Sequence, residues 1–192
     1  MQRPHPGESA PAPRLFLAVA VPAPVTAALA ELEERIPGFR WTPPAQRHLT
    51  LRFLGGIAGA QVPPLQARLR NVAVAPFLLP VEGLGVFPPR GQPQVVWCGT
   101  GPGHPHLHQL RQQIDDTLLA LGLDVDLQRF VPHFTLARVG GARPGAVADF
   151  LHRHRDFATA PFRVASFRLC ASRLDPAGAV HSVVEEFPLL RT

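Results

Sequence analysis

His48-Leu49-Thr50-Leu51-Arg52-Phe53-Leu54-Gly55-Gly56 has a near-copy in the second half of the chain, His133-Phe134-Thr135-Leu136-Ala137-Arg138-Val139-Gly140-Gly141. Both read histidine, apolar, threonine, leucine, two further residues, an apolar residue and Gly-Gly. Residues i and i+2 of a β-strand share a face. Each segment therefore predicts a strand that turns one imidazole and one hydroxyl to one side and its apolar residues to a core on the other. A chain carrying this device twice can bring two histidines and two threonines around one small ligand.

Working outward, the pattern before the first copy predicts a strand over 14–20. A helix follows from Pro22 or Pro24 to about Arg35, with Leu29, Leu32 and Ile36 at helical spacing and Pro37-Gly38 as its stop. Residues 39–42 read as extended. Beyond the first copy come a helix from Pro63 or Pro64 to about Val72, a strand region over 77–87 interrupted at Gly83 and Gly85, and a strand over 94–99. Leu107, Leu110, Ile114, Leu118 and Leu121 stripe a helix over 106–121. Residues 123–127 read as extended, 144–154 as a helix, and 162–171 and 179–189 as two antiparallel strands around the turn Asp175-Pro176-Ala177-Gly178. Each half thus holds strands, two helices and one His-x-Thr strand. This weak duplication predicts an α+β fold of two related lobes, with residues 90–93 as a mobile crossover between them.

The 192 residues suit one domain or two small lobes sharing a core, and the 46% hydrophobic content supports a sizeable one. Residues 1–13, rich in Pro and Ala, read as a disordered extension ahead of a single bilobal domain over 14–192. No apolar run approaches the roughly 20 residues that span a bilayer, and the first residues lack the order of a signal peptide. The expectation is a cytoplasmic protein with no membrane partner. The net charge is +5, and every basic residue in the Lys+Arg count is arginine. Arginine forks suit phosphate, which points to an anionic ligand or RNA. A chain without lysine forms neither a lysyl-adenylate nor a Schiff base. Cys98 and Cys170 sit in apolar runs and read as buried free thiols. The histidines at 104, 106, 108, 152 and 154 read as surface residues, and neither metal nor cofactor is expected.

Two facing imidazoles near their ordinary pKa of about 6.5 can supply one neutral base and one protonated acid. The matching task is in-line displacement at phosphorus: the base takes a proton from water, and the acid protonates the departing alkoxide on the opposite side. The threonine hydroxyls would donate to the non-bridging oxygens, where charge develops. Arg52, two residues past Thr50, is expected on the face of His48 in reach of phosphate. Arg138, three past Thr135, is expected on the opposite face unless a bulge intervenes. Arg129 could enter the cleft, and Phe16 and Trp41 could stack on a base.

Beyond the paired motifs, Arg14-Leu15-Phe16-Leu17-Ala18-Val19, Arg40-Trp41-Thr42-Pro43-Pro44, Leu84-Gly85-Val86-Phe87-Pro88 and Val95-Val96-Trp97 occur in fixed order. So does Pro132-His133-Phe134-Thr135-Leu136-Ala137-Arg138. Together they resemble the LigT-like RNA 2′,3′-cyclic phosphodiesterases, the "2′-5′ RNA ligase" branch of the two-histidine (2H) phosphoesterases, over about residues 14 to 190. The resemblance implies a bilobal fold, with antiparallel sheets facing a central cleft and helices outside. It implies metal-independent hydrolysis of a 2′,3′-cyclic phosphate on an RNA end or nucleoside to a 2′-phosphomonoester. His48 would be the proton donor and His133 the acceptor, with Thr50 and Thr135 holding the phosphate. Some relatives also join RNA ends through a 2′-5′ linkage, with an RNA 5′ hydroxyl replacing water, which needs no lysine. Phe134 departs from the family's usual leucine, and Gly91-Gln92-Pro93-Gln94 is less basic than usual. The alternatives are a 2′-5′ oligonucleotide or a cyclic phosphate from ADP-ribose processing as substrate, or a non-catalytic module that binds RNA ends. A monomer is expected.

Overall fold

The computed structural model describes residues 14–126, 128–175 and 178–190. The expected extension over 1–13, Leu127, and the turn residues Pro176 and Ala177 lie outside the described residues. The first part of the chain runs β1 (Arg14–Ala20), α1 (Ala23–Ala30), β2 (Phe39–Trp41), β3 (His48–Gly56), α2 (Val62–Leu69), β4 (Phe77–Glu82) and β5 (Leu84–Phe87). It continues through β6 (Val95–Gly99), α3 (Pro105–Leu119), β7 (His133–Val139), α4 (Ala146–Arg153), β8 (Ala158–Val164), β9 (Ser166–Asp175) and β10 (Gly178–Pro188).

Two units repeat within this order, β1-α1-β3-α2-β4 and β6-α3-β7-α4-β8, with β2 inserted in the first. In each, the first strand pairs antiparallel with the histidine strand and its last residue lies opposite the histidine: Ala20 opposite His48, Gly99 opposite His133. The closing strands β4 and β8 pair with each other. The next strand then changes sides. β5 follows the first unit but pairs with β6 of the second, whereas β9 follows the second unit but pairs with β1 of the first and carries β10 on its outer edge. The lobes are therefore built by exchange. Their half-sheets, β10-β9-β1-β3 and β7-β6-β5 with β2 also on β7, join through the pair Leu49–Phe134 into one eight-stranded antiparallel sheet. Residues 90–93 are not a crossover between lobes. They sit in the β5–β6 hairpin loop, closed by Gln94 N–H donating to the Phe87 carbonyl at 2.8 Å.

Leu17, Leu49, Leu51, Phe134 and Leu136 project from the sheet into one core with Leu65 and Leu69 of α2. The α3 stripe of Leu107, Leu110, Ile114 and Leu118 joins the same core, which runs through both lobes. Each such fully buried side chain contributes about 2 kcal/mol relative to exposure, so α3 follows its stripe closely. The expected helix to Arg35 instead stops at Ala30, because tertiary contacts claim the residues beyond it. Glu33 pairs with Arg47, the Glu34 carbonyl accepts from Trp41 Nε1 at 2.8 Å, and the Glu34 carboxylate binds Arg153 and His154, each at 2.6 Å. The expected strand over 162–171 is two strands that part at Ala165, where the chain leaves β4 for β1; the Ala165 carbonyl accepts from Leu189 N–H at 2.8 Å. Among the described residues no helix is long and apolar enough to cross a membrane.

Candidate active site

Each histidine strand carries one extra residue at the same place. Leu17 pairs with Arg52 and Ala18 with Thr50, so Leu51 has no partner; Val96 pairs with Ala137 and Trp97 with Thr135, so Leu136 has none. A β-bulge of this kind reverses the alternation of faces beyond it. Both freed carbonyls find donors: Leu51 O accepts from Arg111 Nη1, and Leu136 O from Thr42 N–H at 2.8 Å.

The bulge on β3 corrects the expectation for Arg52, and the bulge on β7 is the exception on which the placement of Arg138 turned. Arg52 does not share the face of His48 and Thr50. It is 5% exposed, donates from Nε to Asp115 Oδ1 at 2.8 Å and from Nη2 to Asp115 Oδ2, and donates from Nη1 to the Asp126 carbonyl at 2.6 Å. Arg138 turns the other way, onto the cleft face. Its counterpart on β3 is Phe53, which the first bulge swings into the cleft 73% exposed.

A cavity of about 760 Å³ lies between the half-sheets, and His48, Thr50, His133 and Thr135 all line it. The antiparallel register about Leu49–Phe134 sets His48 towards Thr135 and Thr50 towards His133. Arg14, Arg40, Arg47 and Arg138 also line the cavity, and no Asp or Glu among the described residues does. Arg40 and Arg138 are direct cross-strand partners, an arrangement that is unfavourable unless negative charge lies near both. Among the described residues Arg14, Arg40 and Arg138 make no ion pair. Arg47 is buried and tied to Glu33 and, at 3.0 Å, to the Thr26 carbonyl.

The two histidines are held alike. Nδ1 of His48 lies 2.7 Å from the Gln46 carbonyl, and Nδ1 of His133 lies 2.8 Å from the Val131 carbonyl. A carbonyl only accepts, so each Nδ1 carries the proton and Nε2 is left for the cavity. His48 packs on Phe16 (4.9 Å between ring centres) and meets His181 edge-on at 5.1 Å. His133 meets Phe87 edge-on at 4.9 Å and Trp97 at 6.1 Å. Burial pulls the pKa of His48 down to about 4; the Gln46 carbonyl opposes this, and charge on His181 or His133 lowers it further. Burial also lowers His133, against the pull of the Val131 carbonyl. In the free protein burial thus favours the neutral form of both rings. A proton must arrive together with an anion, whose negative charge favours the imidazolium.

Phe16 forms the cavity floor at 3% exposure, between His48, Phe53 and His181. Trp41 lines the wall but packs on Phe39 and Phe150, with its Nε1–H given to Glu34. Arg129 is exposed in the loop before β7, away from the cavity lining. The sequence reading missed Phe53, Arg40, Arg14, Gln46 and His181, all of which line the cavity. Phe53 was hidden by the bulge, and His181 by its place at the start of an otherwise ordinary strand. Cys98 and Cys170 are buried free thiols, burial pushing Cys98 up to about 12. Among the described residues no three His, Cys, Asp or Glu side chains are placed to hold a metal ion.

The family model described as LigT like phosphoesterase matches residues 19–97 and 100–181. The RNA 2′,3′-cyclic phosphodiesterase of Aeropyrum pernix is 34% identical over 140 residues, covering 72% of this chain and 80% of its own. The RNA 2′,3′-cyclic phosphodiesterase of Thermus thermophilus is 34% identical over 186 residues, covering 92% and 90%. The crystal structure of Thermus thermophilus TT0787 superposes with a TM-score of 0.78 at 30% identity, covering 93% of this chain and 98% of that one. Motifs, fold and relatives agree, and the chain belongs to the LigT-like phosphoesterase family.

Proposed function

We propose that this protein hydrolyses the 2′,3′-cyclic phosphate at an RNA end to a 2′-phosphomonoester, by acid–base catalysis from its own two histidines. The observation that carries this reading is the matched pair of imidazoles on one cavity, each with Nδ1–H fixed to a backbone carbonyl and Nε2 left free. The cyclic phosphate sits between them. His133 Nε2 takes a proton from water as the water oxygen bonds to phosphorus. The bond from phosphorus to the 3′ oxygen breaks, and protonated His48 gives its proton to that oxygen. Thr50 and Thr135 donate to the non-bridging oxygens. After the step His133 holds the proton and His48 is neutral, and exchange with solvent restores the pair. With an RNA 5′ hydroxyl in place of water as the nucleophile, the same groups form a 2′-5′ linkage by the same displacement.

Arg40 and Arg138 supply positive charge for the backbone phosphate preceding the reacting nucleotide. The exposed ring of Phe53 offers a stacking surface for a base, a role for which Phe16 and Trp41 are too enclosed. The test is incubation of the protein, with chelator present, with an RNA oligonucleotide ending in a 2′,3′-cyclic phosphate. The expected product carries a 2′-phosphomonoester. A 3′-phosphomonoester, or activity that chelator abolishes and a divalent ion restores, overturns the proposal.

A further inference from the structure

A third histidine stands in the cleft. His181, on β10, lines the cavity with its ring centre 5.1 Å from that of His48 and 5.0 Å from that of Phe16, edge-on in both cases. The three rings touch one another, and among the described residues the His181 ring makes no hydrogen bond, so both its nitrogens are free to exchange protons. The strand carrying it is tied to the segment that holds His48. The Gln46 carbonyl accepts from His48 Nδ1, while Gln46 Nε2 donates to the carbonyl of Ala179, two residues before His181. Gln46 thereby links β10 to the His48 ring. Among the described residues His133 has no such neighbour; its ring contacts are Phe87 and Trp97. The near-symmetry of the two motifs breaks at this point.

Two partly buried imidazoles this close cannot both be charged without mutual repulsion. They titrate as a pair rather than as independent groups. The other titratable and charged groups around His48 are few. His133 faces it from β7. Arg47 precedes it and is paired with Glu33. Arg14 on β1, Arg40 on β2 and Arg138 on β7 line the same cavity. Against His181, Ser172 lies directly across on β9, with Arg14 beyond it on β1.

We propose that His181 is a positioning residue for His48, and that the two imidazoles act as a pair that takes up one proton between them when an anionic phosphate enters the cleft. This rests on the reading of His48 as the proton donor. The pair carries at most one proton, which the entering anion brings in. Among the described residues the His133 ring packs instead on Phe87 and the Trp97 indole. Burial lowers the proton affinity of all three rings, and His181 lowers that of His48 further.

The test is a proton–nitrogen NMR pH titration of His48 in the free protein, comparing wild type with His181→Asn and His181→Phe. Phenylalanine keeps the edge-on packing and asparagine keeps a polar group, so one variant survives if the other disturbs the fold. The expected result is that the His48 midpoint rises by about half a pH unit to one unit once the neighbouring charge is removed, while the His133 midpoint stays in place. In hydrolysis of a nucleoside 2′,3′-cyclic phosphate, the pH–rate limb belonging to His48 should move the same way, with kcat changed more than KM. An unmoved His48 midpoint in both variants overturns the pairing, whatever happens to melting temperature. The titration needs no turnover, so a protein that hydrolyses nothing would sink the proposed function and leave this inference to be judged on its own.

Discussion

Two arginines at nearly equivalent motif positions face opposite ways. Arg52→Ala removes both bonds to Asp115 and one to a carbonyl, leaving Asp115 with Arg111 alone; the expected loss is about 2 kcal/mol in urea unfolding. Arg138→Ala leaves stability unchanged and raises KM for an oligonucleotide substrate several-fold, which steady-state kinetics would read. The reverse pattern would contradict the placement of both side chains. His48 gives a second prediction. Its pKa is about 4 folded against an ordinary 6.5, so the unfolded chain binds the extra proton between those values. Its contribution is complete above about pH 6.5 and is lost as pH falls through 4, about 3 kcal/mol in all. The urea midpoint of His48→Ala should therefore fall less than that of wild type between pH 7 and pH 4; equal falls would contradict the burial of this ring. The paired His-x-Thr residues were legible because strand alternation alone gives them a shared face. Arg52, Arg138 and Phe53 were not, because a bulge depends on the partner strand's register, which no local pattern encodes.

At the scale of elements, the β5–β6 hairpin positions His133 through Phe87 and Trp97. The Trp97 indole lies across Gly85 so closely that a Cβ there would come within 2.2 Å of the ring. Gly85→Ala must push Trp97 aside, at about 2 kcal/mol, and shift the ring packed against His133. We expect a lower denaturation midpoint together with reduced kcat. Normal kcat in a destabilised variant would show that Trp97 does not position His133. β1, the two histidine strands and the α3 stripe from Leu107 to Leu118 were read correctly from periodicity, since burial on one face dominates their energetics, whereas residues 123–126, expected as extended, form no strand. The end of α1 was not read correctly, because the contacts of Glu33 and Glu34 that unwind it come from residues up to 120 positions away.

For the whole molecule, the duplicated rhythm was visible in the sequence, but the exchange of β5 and β9 between lobes was not: nothing local to either strand says which half-sheet it will join. That exchange makes the lobes interdependent and places both motifs on one cavity. The same cavity gathers four arginines and no carboxylate among the described residues. Added salt should therefore raise KM more for an oligonucleotide ending in a cyclic phosphate than for a cyclic mononucleotide. Equal salt dependence would show that Arg40 and Arg138 do not meet the RNA backbone. The most direct test of two imidazoles working on one phosphorus is a double-mutant cycle in kcat/KM for a nucleoside 2′,3′-cyclic phosphate. His48→Ala and His133→Ala should each lose about 10²–10⁴-fold with the fold intact, and the double variant should be scarcely worse than the poorer single. Losses that multiply in the double variant, or a single variant that turns over normally, would contradict joint action of the two histidines.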